Sequence, residues 1–117
     1  MVQEPQERIA IKTKDALELL DDFAEIGVRG VSLISDGEST LSKAYAPFIK
    51  HADEVGIDVG NATNGWEWGP EKIEEVLPHL SWVRFTVAAG NPESYSKIMF
   101  KGPEHTHVFD RAMEHIK

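Results

Sequence analysis

The stretch Phe48-Ile49-Lys50-His51-Ala52-Asp53-Glu54-Val55-Gly56-Ile57-Asp58-Val59-Gly60-Asn61-Ala62-Thr63-Asn64-Gly65 contains a complete passage from helix to strand. Phe48, Ile49, Ala52 and Val55 recur at the spacing of one helix face, and Gly56 is the residue type that stops a helix. Pro47 is tolerated only in a first turn, which predicts a helix start around Ala44 to Ala46. Ile57 to Asn61 is a short strand, and Thr63-Asn64-Gly65 turns the chain beyond it. Asn64 and Gly65 both tolerate positive φ, so this turn has a mechanism of its own.

The same passage recurs on either side. Upstream, Ala16, Leu17, Leu20, Phe23 and Ala24 share a helix face, with Thr13 to cap it, Asp15 in its first turn and Gly27 to end it. Val31, Leu33 and Ile34 then form a strand closed by Ser35-Asp36-Gly37. Downstream, Pro70 opens a helix carrying Ile73, Val76, Leu77 and Leu80, and Trp82 to Val87 is the third strand. Asn91-Pro92 caps a brief helix to about Ile98, and a last helix carries Val108, Phe109, Ala112, Met113 and Ile116. From strand to strand (Val31, Asp58, Val83) the unit is about 25–27 residues, the length of a βα unit. The expected fold class is α/β: a partial (βα) barrel-like arrangement of about three parallel strands with four to five helices, in one domain over residues 1–117. Three parallel strands leave two open sheet edges, so a homo-oligomer formed through an exposed edge is expected.

Composition bounds the function. Among 117 residues, twenty acidic side chains against twelve basic give a formal charge of -8, which disfavours nucleic acid and anionic membrane surfaces as partners. No apolar run approaches the length of a bilayer span, and Met1 to Lys14 is too polar for a secretory leader, so the expected compartment is the cytoplasm. The chain has no cysteine. Disulfides, thiolate zinc sites, cysteine nucleophiles and cysteine-held iron–sulfur clusters are therefore beyond it. It also carries no Walker loop, GxGxxG, HExxH or GxSxG.

In parallel α/β folds ligands bind beyond the carboxyl ends of the strands. Here those ends carry Ser35 to Thr40, Thr63 to Trp68, and Ala88 to Asn91. Glu38 is the sharpest residue among them, since a carboxylate after a glycine can receive an ammonium group or a metal. The plain alternative is that Asp36 and Glu38 are solvated loop acids. Trp66 and Trp68 either stack on a planar ligand or pack over the sheet end. His105 and His107 lack a third ligand nearby in sequence. Glu67, Glu71, Glu74 and Glu75 read as an exposed helix face.

The order of these pieces resembles the radical S-adenosylmethionine (radical SAM) superfamily, whose core is a partial (βα) barrel. Ser35-Asp36-Gly37-Glu38-Ser39-Thr40-Leu41 stands where that family has a Gly-Gly-Glu-Pro-like stretch. Thr63-Asn64-Gly65 matches its Thr-Asn-Gly, and Thr86-Val87-Ala88-Ala89-Gly90-Asn91-Pro92-Glu93-Ser94-Tyr95 its fourth-strand segment and following helix start. Asp36 replaces the family's glycine, Ser39 its proline, Thr86 its serine and Ala88 its acid. The CxxxCxxC loop is missing.

The resemblance implies an internal slice of such a core. Gly37 and Glu38 would approach the amino group of S-adenosylmethionine, Thr86 its ribose or carboxylate, and Asn64 would serve the turn beside them. S-adenosylmethionine and a 4Fe-4S cluster are implied for the complete enzyme, whose chemistry is reductive cleavage of S-adenosylmethionine. This chain alone is expected to carry neither cofactor and to lack catalysis. Two other readings stay open: a stand-alone α/β ligand-binding or assembly module, and a metal-dependent hydrolase using Asp36, Glu38, His105 and His107.

Overall fold

The computed structural model describes residues 10–117; the part of the polar N-terminal stretch before Ala10 lies outside them. Among the described residues three βα repeats are framed by further helices, in the order α1 (Thr13–Glu25), β1 (Gly30–Leu33), α2 (Tyr45–Glu54), β2 (Asp58–Thr63), α3 (Pro70–Val76), β3 (Trp82–Phe85), α4 (Pro92–Phe100) and α5 (Thr106–Ile116). Short 3-10 turns occupy Ser39–Leu41, Leu77–His79 and Pro103–His105. The three strands form one parallel sheet in the order β1-β2-β3, so the expected α/β class with three parallel strands and up to five helices is what the chain adopts.

Local chemistry sets the boundaries. Gly27 and Gly56 follow the ends of α1 and α2 with φ of 85° and 78°, the left-handed conformation that only glycine enters without strain. Asn91 caps α4 as expected, its side chain accepting from the Ser94 amide at 2.9 Å. Thr13, expected as the cap of α1, is instead its first residue, and Lys12 occupies the cap position without a side-chain bond. The helix that Pro70 opens tightens into the 3-10 turn at Leu77, because Pro78 has no amide hydrogen to continue it. β3 ends at Phe85, two residues short of the expected Val87.

Side chains alternate across the strands, and the described residues cover one face. Val31, Leu33, Val59, Val83 and Phe85 join Leu20 of α1, Tyr45, Ile49 and Ala52 of α2, and Val76 of α3 in one apolar cluster. On the opposite face Ser32, Asp58, Trp82 and Arg84 are exposed. The Trp82 ring lies over Gly60, where an added Cβ would collide with it. The result is a slab of 48 × 42 × 21 Å, one layer of helix against one of sheet. At the far end α4 and α5 pair through Tyr95 and Phe109, whose rings meet edge to face at 5.5 Å. Among the described residues no helix is long and apolar enough to cross a membrane.

Candidate functional site

Register brings the first two strand ends together. Leu33 pairs with Asn61, so the chain leaving β1 passes beside the last residues of β2. Glu38 sits in that passage and caps the 3-10 turn at Ser39–Leu41. Its Oε1 accepts from the Thr63 hydroxyl at 2.7 Å, the Thr40 hydroxyl at 2.8 Å and the Thr40 amide at 3.3 Å. Among the described residues its Oε2 accepts only from the Asn64 amide, at 2.8 Å. Glu38 is thus no free loop acid: it joins the loop after β1 to the loop after β2. Every partner is a neutral donor, and among the described residues Glu38 makes no ion pair. Oε2 retains a lone pair, and a carboxylate held this way can take a cationic donor.

The surroundings are fixed by the same two strands. Thr63 is buried; its hydroxyl donates to Glu38 and accepts from the Gly65 amide at 3.1 Å. Lys72 of α3 donates to the Thr40 carbonyl at 2.7 Å, pinning the 3-10 turn from the other side. Tyr45 lies beneath with its hydroxyl buried and unpartnered. Burial, and after it the nearby Glu38 carboxylate, push the Tyr45 phenol well above its usual range. Tyr95 on α4 is raised by the same two causes in the same order. An open groove of about 1340 Å³ runs from Glu38 along β1, between α1 and α2, with Leu19, Phe23, Leu33 and Phe48 among its walls.

The other residues singled out in the sequence fall into place around Glu38. Gly37 is exposed, with nothing near the position of an added Cβ, so no close approach requires glycine there. Asn64 performs the turn: its side chain accepts from the Trp66 amide at 2.9 Å while its own amide serves Glu38. Gly65 has φ of 79°, and its carbonyl accepts from His115 Nδ1 at 2.7 Å, which docks α5 on this turn. Thr86 is exposed, but its amide donates to the Thr63 carbonyl at 2.9 Å, placing it on the same rim.

Of the two tryptophans, Trp68 is core, edge to face with Tyr45 at 6.2 Å and Phe85 at 5.9 Å. Trp66 lies under the Arg111 guanidinium, 5.5 Å from its ring centre. Glu71, Glu74 and Glu75 are the exposed face expected of them, and Glu75 pairs with Lys50 at 2.7 Å, whereas Glu67 lies in the turn before α3 and is half-buried. Among the described residues no three metal-ligating side chains gather, so Asp36, Glu38, His105 and His107 do not form one site. In the sequence Ser39 and Thr63 stand only as members of the rim segments, without a role of their own, and Asn61 only as the end of its strand. A hydroxyl or amide at a strand end beside a carboxylate was the available signal.

No family model matches the chain, and no solved structure does. It is similar to a curated protein of Flammeovirga pacifica, an "S-adenosylmethionine-dependent nucleotide dehydratase", at 24% identity over 97 residues. That match takes in 83% of this chain, and the chain spans about a third (33%) of the relative's length. The similarity is weak and concerns a protein that depends on S-adenosylmethionine.

Proposed function

We propose that these 117 residues form part of a radical SAM-type core, in which the Glu38 rim binds the amino-acid end of S-adenosylmethionine. The observation that carries this reading is Glu38 itself, a part-buried carboxylate oriented by four neutral hydrogen bonds with one lone pair of Oε2 left over. An ammonium group fits that vacancy in charge and in hydrogen-bond count. The weak similarity to an S-adenosylmethionine-dependent protein supports the same ligand. So does the arrangement of the strands. Their order follows the sequence and their helices cover one face, as in a segment of a (βα) barrel whose inner wall is the exposed face.

Within this reading Glu38 receives the ammonium, Asn64 and Thr63 hold Glu38, and Thr86 offers a hydroxyl to the ribose or carboxylate. Bound S-adenosylmethionine would supply a sulfonium for one-electron cleavage in the complete enzyme. The iron–sulfur cluster that such cleavage needs does not fit here, because the chain has no cysteine. No redox step belongs to these residues, and the parent's substrate is determined elsewhere. Self-association through the free edges of β1 and β3 is part of the same proposal and is read by light scattering across concentrations.

The test is a titration of the chain with S-adenosylmethionine followed by amide NMR. With one charge-assisted contact built in, the expected Kd is about 1 mM. The Thr40 and Asn64 amides should shift first, and Glu38→Gln should abolish the shifts while keeping the fold. Unperturbed amides at ten-millimolar ligand, about ten times that Kd, would remove the proposal and leave an assembly role.

A further inference from the structure

Asn61 lies in the central strand, on the helix-covered face, in register with Leu33 on one side and Val83 on the other. It is 0% exposed. Its Oδ1 accepts a hydrogen bond from the Ser39 hydroxyl at 3.0 Å, while its Nδ2 has no partner. A buried amide with an unspent donor is less stable than a leucine of the same shape at the same place. Packing therefore gives no account of an asparagine here. What the side chain does is hold residue 39, and residue 39 follows Glu38.

Two residues along the same face of β2, Thr63 holds Glu38 directly. The strand thus clasps two consecutive loop residues from two consecutive inward positions, Asn61 gripping Ser39 and Thr63 gripping Glu38. A serine leaves its own φ free, and the hydrogen bond to the strand supplies the restraint on the loop.

We infer that Asn61 is a positioning residue: acting through Ser39, it sets the Glu38 carboxylate so that Oε2 faces a cationic primary amine. The ligand half of this statement rests on the function proposed above; the clasp itself does not. The two are separable by experiment. The Asn64 amide, which donates to Oε2 at 2.8 Å, reports the placement of Glu38 without any ligand.

The test compares Asn61→Leu, Ser39→Ala and Ser39→Thr with the unmodified chain in three measurements: hydrogen exchange at the Asn64 amide, affinity for S-adenosylmethionine, and the urea midpoint. Asn61→Leu and Ser39→Ala are each expected to speed Asn64 exchange and weaken binding by about tenfold, the equivalent of one such bond. The urea midpoint of Asn61→Leu should hold or rise. Ser39→Thr, which keeps the hydroxyl, should behave as the unmodified chain. The double variant should be no worse than either single one, since both cut the same link. The inference is overturned if Ser39→Ala leaves Asn64 exchange unchanged, or if Asn61→Leu loses protection only in proportion to lost global stability. An unmodified chain that ignores S-adenosylmethionine would refute the ligand reading alone, and Asn64 exchange would still decide the clasp.

Discussion

Replacing Glu38 by alanine removes one acceptor group from four donors, and the structure sets the size of the effect. Two of those donors belong to Thr40 and one to Thr63, both residues only 3% exposed. Hydrogen bonds to a charged group contribute about 1.5–3 kcal/mol each when taken singly, but they share this acceptor and do not add. The Thr63 hydroxyl has little access to water and would be left with an unpaired donor, a cost of about 1–3 kcal/mol. Loss of the cap on the 3-10 turn adds about 1 kcal/mol. The Asn64 amide is nearer solvent and recovers part of its bond from water. Together these give a destabilisation of about 3 kcal/mol, or a fall of about 10 °C in Tm for a chain of this length. Glu38→Gln keeps an acceptor for the threonines but sets an amide NH2 against the Asn64 N–H, so it should cost about half as much. Urea denaturation with a constant m-value is the assay. A Glu38→Ala loss below about 0.5 kcal/mol, the range of ordinary surface changes, would refute the claim that this carboxylate ties two loops together.

Two further substitutions probe the frame that carries the site. His51 of α2 donates from Nε2 to Asp21 of α1 at 2.7 Å and from Nδ1 to Glu54 at 3.1 Å, a pattern that only the protonated ring can complete. Its pKa is raised, first by the bond to Asp21 and then by that to Glu54. This contribution to stability is therefore whole below the usual imidazole value of 6.5 and disappears as pH rises through the raised one. The urea stability should decline by about 0.5 kcal/mol across that interval, as for other exposed pairs. His51→Gln should flatten the decline, and an unchanged slope would show that another group is responsible. Gly60→Ala should push the Trp82 indole off the sheet at a cost of about 1–2 kcal/mol, with tryptophan emission shifted to the red. Unshifted emission would mean that the ring does not rest on that glycine in solution.

The repeating layout was legible because each helix face and each stop glycine is a local feature. Phe48, Ile49, Ala52 and Val55 sit within two turns of one another, and Gly56 follows them directly. Ends were harder. Thr13 has the chemistry of a cap, but the chain enters the helix one residue earlier. Val87 continues the apolar pattern of β3 yet lies past the ladder and is 43% exposed. Glu38 and Asn64 could be singled out from their places at strand ends, whereas the bond between them could not. The same holds for Asn61 and Ser39, which lie 22 positions apart in the chain and meet only because β1 and β2 pair in this register. Asn61 looked like an ordinary strand residue, since nothing in its neighbours tells whether an inward position meets apolar side chains or a loop.

The agreement between strand order and sequence order has a consequence for how the chain acquires its structure. No strand has to be inserted between two others, and each new pairing closes a loop spanning about one βα unit, from Gly30 to Asp58 and from Gly60 to Trp82. The entropy of such closures grows only slowly with length, so the second costs about as much as the first. A nascent chain leaving the ribosome can therefore lay β2 beside β1 and then β3 beside β2 without undoing earlier contacts. Growth in this manner has no built-in last step. Among the described residues β1 and β3 are the edge strands, so a further βα unit pairing with either would meet hydrogen-bonding groups already in line.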